Sequence, residues 1–138
     1  MVEMKIVSVG MVQGSDGNVV ILKEVHGDRM LALGIGLMEA SAIAMEVEGI
    51  RPPRPMTHDL LYNVITRLQG SVHRVVIHDL RNETFIGQIE IETDKGIMEI
   101  DARPSDAIAL ALRGKAPIYA TENVLEMAGI REDVFDNS

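Results

Sequence analysis

Residues 98–117, MEIDARPSDAIALALRGKAP, and residues 33–52, LGIGLMEASAIAMEVEGIRP, are two versions of one segment. A shift of 65 places Ile35 on Ile100, Ala42-Ile43-Ala44 on Ala107-Ile108-Ala109, Gly49 on Gly114 and Pro52 on Pro117. Each copy reads as the end of a strand, then an apolar helix, then a glycine stop and a proline-containing link. The repeat is too long for a solenoid, so it predicts two like halves packed around a pseudo-twofold axis into one core.

The flanking sequence repeats in the same order. Met4 to Val12, Val19 to Val25 and Arg29 to Ile35 read as strands, separated by the turn signals GSDGN (14–18) and HGD (26–28). A helix is expected from Gly36 to Glu48, with Met38, Ala42 and Met45 on its buried face together with Ile43. Gly49 and the stiff connector RPPRP (51–55) end it. Thr57 is expected to cap a helix whose stripe Leu60, Leu61, Val64, Ile65 and Leu68 enters the core and which stops at Gly70. The second half gives strands at 72–79, 84–93 and 97–102, turns LRNE and TDKG, and a helix 106–113 capped by Ser105. A short extended piece, 117–120, and a Thr121-capped helix closed by Gly129 complete it. The fold class is α+β, with strand-strand-strand-helix-helix halves at about 4–70 and 71–130 in a single domain and an antiparallel or mixed sheet. Residues 131–138 read as a polar tail.

Composition narrows the function classes. The chain has 138 residues, enough for a core without staples, and no cysteine, which excludes disulfides, thiol nucleophiles and Cys-bound zinc. No run of about 18 apolar residues and no signal-peptide pattern occurs, so a cytoplasmic protein without membrane partners is expected. A net charge of −8 opposes electrostatic coating of nucleic acid, and four aromatic residues are too few for a base-stacking platform. Even so, Arg51, Arg54, Arg67, Arg74 and Arg81 cluster in the middle third, where a local basic face is possible.

Two clusters carry candidate chemistry. In the first, Asp101, Arg103, Ser105 and Asp106 stand where a strand turns into a helix. Paired carboxylates suit Mg²⁺ or Mn²⁺, an arginine suits phosphate, and a helix start offers free N–H groups to an anion. The same residues would serve a purely structural corner, with Ser105 as cap and Asp106 opposing the helix dipole. In the second, RPMTHDLLYN (54–63), His58 is a candidate proton shuttle and Asp59 a metal ligand or dipole partner. No phosphate-loop, dinucleotide-binding or zinc-protease motif is present, so no organic cofactor is expected.

The stretches GLMEASAIAMEVEGIRPPRPMTHDLLYNVI (36–65), RVVIHDLRNETFIGQI (74–89) and IDARPSDAIALALRGKAPIYA (100–120) resemble the bifunctional nuclease domain family, over residues 4–128. The motifs R-P-x-T-H-D-L and D-x-R-P-S-D-A-I-A-L-A carry the likeness. The resemblance implies a nuclease that uses RNA, DNA or both. On that reading His58, Asp101 and Asp106 are catalytic, Asp59, Asp101 and Asp106 hold a divalent ion, and Arg54, Arg103 and Ser105 grip substrate; these roles are inferred from residue chemistry. The alternative is a non-enzymatic binding or regulatory module. Either would be a homo-oligomer, with a dimer as the simplest form.

Overall fold

The computed structural model describes residues 1–12, 14 and 17–136; Ser15 and Asp16 of the predicted first turn, and Asn137 and Ser138 of the predicted tail, lie outside them. Strands β1 (Val2–Met11), β2 (Asn18–Glu24) and β3 (Arg29–Ile35) form an antiparallel meander. Strands β4 (Ser71–Arg81), β5 (Thr84–Thr93) and β6 (Gly96–Ala102) form a second one. A short strand, β7 (Ile118–Ala120), joins them, antiparallel to β1 and parallel to β4. The resulting mixed sheet has the order β6-β5-β4-β7-β1-β2-β3-β8, where β8 is Ile130–Arg131. The two meanders run outward from β7 in opposite senses, the arrangement an internal duplication produces.

The helices are α1 (Leu37–Val47), α2 (Thr57–Arg67), α3 (Pro104–Gly114), α4 (Glu122–Ala128) and α5 (Glu132–Asp136). One face of the sheet presents Leu22, Leu31, Val75, Ile77, Ile89 and Ile118 to a single apolar cluster. Helix α3 is the centre of that cluster. Ala107 to Ala111 are five consecutive residues at 0–1% exposure. Helix α3 packs on β4 and β5, α1 packs on β1 and β2, and both α1 and α2 pack against α3. Alanines at 107, 109 and 111 let those neighbours approach, and Ile108 and Leu110 fill the remaining space. Gly114 belongs to the same packing. A Cβ there would lie 3.3 Å from the Tyr62 ring of α2 and 3.4 Å from Val72 of β4. The left-handed residue that ends the helix is instead Lys115, φ 53°.

Five expectations are corrected, and one cap holds. Thr121 does cap α4, its Oγ1 accepting from Val124 N–H at 3.3 Å. Thr57, by contrast, is the first helical residue of α2; Met56 holds the cap position, and the Asp59 carboxylate accepts the Met56 N–H at 2.9 Å. Ser105 is likewise inside its helix, behind Arg103 at the cap position and Pro104 at the first turn. Proline fits there because its missing N–H has no intrahelical acceptor to lose. The α2 stripe does not enter the core: no residue of α2 is buried, and Leu60, Leu61, Val64 and Leu68 are 39–77% exposed. Its inward side is His58, Asp59, Tyr62 and Ile65. On α1 the buried residues are Ala40 and Ile43, while Met38 lies 72% exposed. The expected tail contains β8, which pairs with β3, and α5, tied to β2 by Lys23–Glu132.

Candidate functional site

The burial of α3 brings three helix starts together. His58, in the first turn of α2, places Nε2 2.9 Å from Asp106 Oδ1 in the first turn of α3. Arg103, just before α3, donates Nε to Asp106 Oδ2 at 2.8 Å and reaches Glu39 of α1 through Nη1 at 3.1 Å. Glu39, Arg103, Asp106 and His58 thus form one charged chain across the starts of α1, α3 and α2. The residue next to His58 makes a second tie: Arg113 Nε donates to Asp59 Oδ1 at 2.7 Å. Arg113 also donates Nη1 to the Ala109 carbonyl at 2.9 Å, and its side chain is 7% exposed.

These contacts set the charge states. Burial pushes the Asp106 carboxyl upward, but the hydrogen bonds and charges of Arg103 and His58 outweigh it and hold Asp106 below the usual carboxylate range. Asp59 follows the same balance: burial raises it, and Met56 N–H together with Arg113 brings it below its ordinary value. The hydrogen bond and charge of Asp106 push the Arg103 guanidinium further up. At neutral pH both aspartates are therefore anions. The neutral tautomer that donates Nε2–H to Asp106 is the one that leaves Nδ1 as an acceptor.

Beside this chain lies a cavity of about 670 Å³ between the end of β3, the β4–β5 turn and the β6–α3 corner. Arg103, Pro104 and Ser105 line it, as does Asn18. Ser105 is 6% and Asn18 9% exposed, and neither side chain has a hydrogen-bond partner among the described residues. Moving Ser105 from the cap to the second helical position is what leaves its hydroxyl free. The N–H groups of Ser105 and Asp106 also lack intrahelical acceptors. An oxyanion entering this cavity would meet a guanidinium, a hydroxyl and the positive end of α3. Gly87 makes the corner possible: a Cβ there would lie 3.2 Å from the Ala102 carbonyl oxygen and 3.4 Å from Pro104 Cα.

The remaining candidates fall elsewhere. Asp101 is exposed on β6, opposite Gln88, and its side chain has no ion pair or hydrogen bond among the described residues. Arg54 lines a different cavity, the groove between α1 and α2, which Asp59 also lines. The proposed metal ligands were Asp59, Asp101 and Asp106. Arg113 and Met56 N–H engage Asp59, and Arg103 and His58 engage Asp106. No three His, Asp or Glu side chains among the described residues are grouped to hold an ion. This arrangement does not fit a preformed Mg²⁺ or Mn²⁺ cage. Three participants were not among the predicted site residues: Glu39, in the first turn of α1, Arg113 and Asn18. Glu39 shares the first-turn placement of Asp106, which is the one signal that links it to the corner.

Comparisons with known proteins agree with the motifs. A family model described as the bifunctional nuclease domain matches residues 20–133. The chain is 42% identical over 128 residues to an uncharacterized protein of Mycobacterium tuberculosis, an alignment covering 93% of this chain and 76% of that one. It is 26% identical over 117 residues to Bifunctional nuclease 1 of Oryza sativa subsp. japonica and to the Bifunctional nuclease of Oryza minuta. Those alignments cover 81% of this chain and 35% of each rice protein. No described helix is long and apolar enough to cross a membrane.

Proposed function

Because the chain belongs to the bifunctional nuclease domain family, we propose that it hydrolyses phosphodiester bonds of RNA or DNA at the β6–α3 corner. The observation that carries this reading is the 2.9 Å contact of His58 with Asp106, beside Arg103 and the free Ser105 hydroxyl. Arg103, Ser105 and the helix start bind the non-bridging oxygens. Asp106 holds the imidazole through Nε2 while Nδ1 takes the proton of an attacking water and returns it to the leaving oxygen. Asp101, at the strand end before the corner, and Arg54, in the neighbouring groove, are proposed as outer contacts to the same substrate. An ion bound by Asp106 would have to displace Arg103 or His58, so metal dependence is an arm of the test.

Labelled single-stranded RNA and DNA are incubated with the purified chain in Mg²⁺, Mn²⁺ or EDTA, beside His58→Gln and Asp106→Asn. The expected outcome is cleavage that falls by about 10²-fold or more in each variant. Cleavage that persists in both places the activity elsewhere or in a contaminant. No cleavage under any condition favours a binding or regulatory module, in which the saturated ion pairs at Asp59 and Asp106 are structural ties.

We also propose that the chain self-associates, with α2 supplying the surface. An amphipathic helix with four large apolar residues at 39–77% exposure needs a cover. We assign that cover to a second copy of the chain.

A further inference from the structure

The groove between α1 and α2 carries a charge opposite to that of the whole chain. Its volume is about 490 Å³, within the range of small-molecule sites. Four cations and two carboxylates line it, in a protein of net charge −8. One cation, Arg113, is taken by Asp59. The side chains of Arg51, Arg54 and Lys115 have no ion pair or hydrogen bond among the described residues. Three unpaired cations facing one cavity repel one another, and a dianion placed among them relieves that repulsion.

Two further features point to a ligand with more than a phosphate. The cations sit at the connector and at the end of α3, and the wall beside them is apolar, built by Met38 and Met45 of α1 and Tyr62 of α2. Methionines adapt their shape to a flat or irregular body. The cationic side is also held in advance: prolines at 52, 53 and 55 restrict the connector that bears Arg51 and Arg54, so little chain entropy is lost on binding.

We propose that this groove binds a phosphomonoester of mononucleotide size, with its phosphate among Arg51, Arg54 and Lys115 and its base against Met38, Met45 and Tyr62. The site uses neither His58 nor Asp106 and shares with the proposed hydrolysis at the β6–α3 corner only Arg54, its outer contact.

Calorimetric titration of the full chain with 5′-AMP, adenosine and inorganic phosphate tests it. Saturable 5′-AMP binding is expected, at least about tenfold tighter than either fragment alone. Arg51→Gln/Arg54→Gln/Lys115→Gln should weaken 5′-AMP by about tenfold or more, while Arg103→Gln at the other cavity should leave it within about twofold. Met38→Ser, at an exposed position that cannot collapse the core, should weaken 5′-AMP and leave phosphate unchanged. The proposal is overturned by equal affinity in wild type and the triple variant, by phosphate binding as tightly as 5′-AMP, or by no binding at millimolar concentration. Nuclease activity and 5′-AMP binding of His58→Gln, which leaves the groove intact, read the corner and the groove separately, so either assignment can fail alone.

Discussion

Helices α1 and α3 share the core tripeptide Ala-Ile-Ala and differ in how deeply it is buried. Ile43 and Ile108 are both fully buried, but the neighbours of Ile108 on either side are buried with it, whereas Ala42 and Ala44 are only partly covered. Both helices lie against the sheet, α1 on β1 and β2 and α3 on β4 and β5, but α3 is flanked by α1 and α2 as well. Helix α4 buries Val124 and Leu125, while its counterpart α2 buries nothing. Duplication supplied two similar halves, but only one α3 position exists at the centre. The half that took it became core, and the displaced helices α1 and α2 were left with free faces. Both cavities and the charged chain of helix starts lie along those free faces or at the ends of α3.

This comparison can be broken at the core first. Leu110→Ala in α3 should cost about 2–5 kcal/mol in urea unfolding, whereas Leu60→Ala in α2 should stay within about 0.5 kcal/mol for the monomer. Equal losses would show that α2 is as buried as α3. Next, Gly114→Ala should destabilise by about 1–3 kcal/mol, because the methyl meets Tyr62 and Val72 at 3.3–3.4 Å. If the change is neutral, α2 and β4 do not close on α3 as described. The capping contrast is smaller. Thr121→Ala should cost about 1 kcal/mol and Thr57→Ala no more than about 0.5 kcal/mol, since only Thr121 accepts a helix N–H. Leu68→Asp, at 77% exposure, should barely move monomer stability yet reduce the mass seen by light scattering if a second copy covers α2. An unchanged monomer before and after would remove the dimer assignment.

The pH profile gives the finest distinction. Asp59 and Asp106 both sit below the ordinary carboxylate range. Their contribution is present above the unfolded value of about 3.9 and is lost as pH falls through their folded values. Stability should therefore decline below about pH 4, and less steeply in Asp106→Asn. An identical decline in that variant would mean that Asp106 has no folded-state advantage over the unfolded chain.

How much of this was legible in the sequence differs by kind of feature. The strands at 29–35 and 84–93, the Thr121 cap and the glycine after α1 follow from alternation and local backbone preference, which need no distant partner. Of the candidate residues, Arg103, Ser105 and Asp106 were visible as one cluster, but the contact that brings His58 to them was not. A separation of 48 residues between His58 and Asp106 carries no local signal. Ser105 shows the limit within a single motif: serine before an apolar run reads as a cap, yet Pro104 claims the first helical position and moves the cap back to Arg103. The α2 stripe misled for a different reason. Periodicity says that a face is apolar, and says nothing of what covers it.

By itself the sequence determined the α+β class, the two-half order of elements and the family motifs, because these rest on period, turn residues and repeated spacing. Only the tertiary structure decided which helix became the core, that β7 pairs parallel with β4, and that Arg54 and Arg103 face different cavities. Those outcomes depend on which of two similar halves occupies the central position, a competition between long-range contacts that neither half records in its own residues.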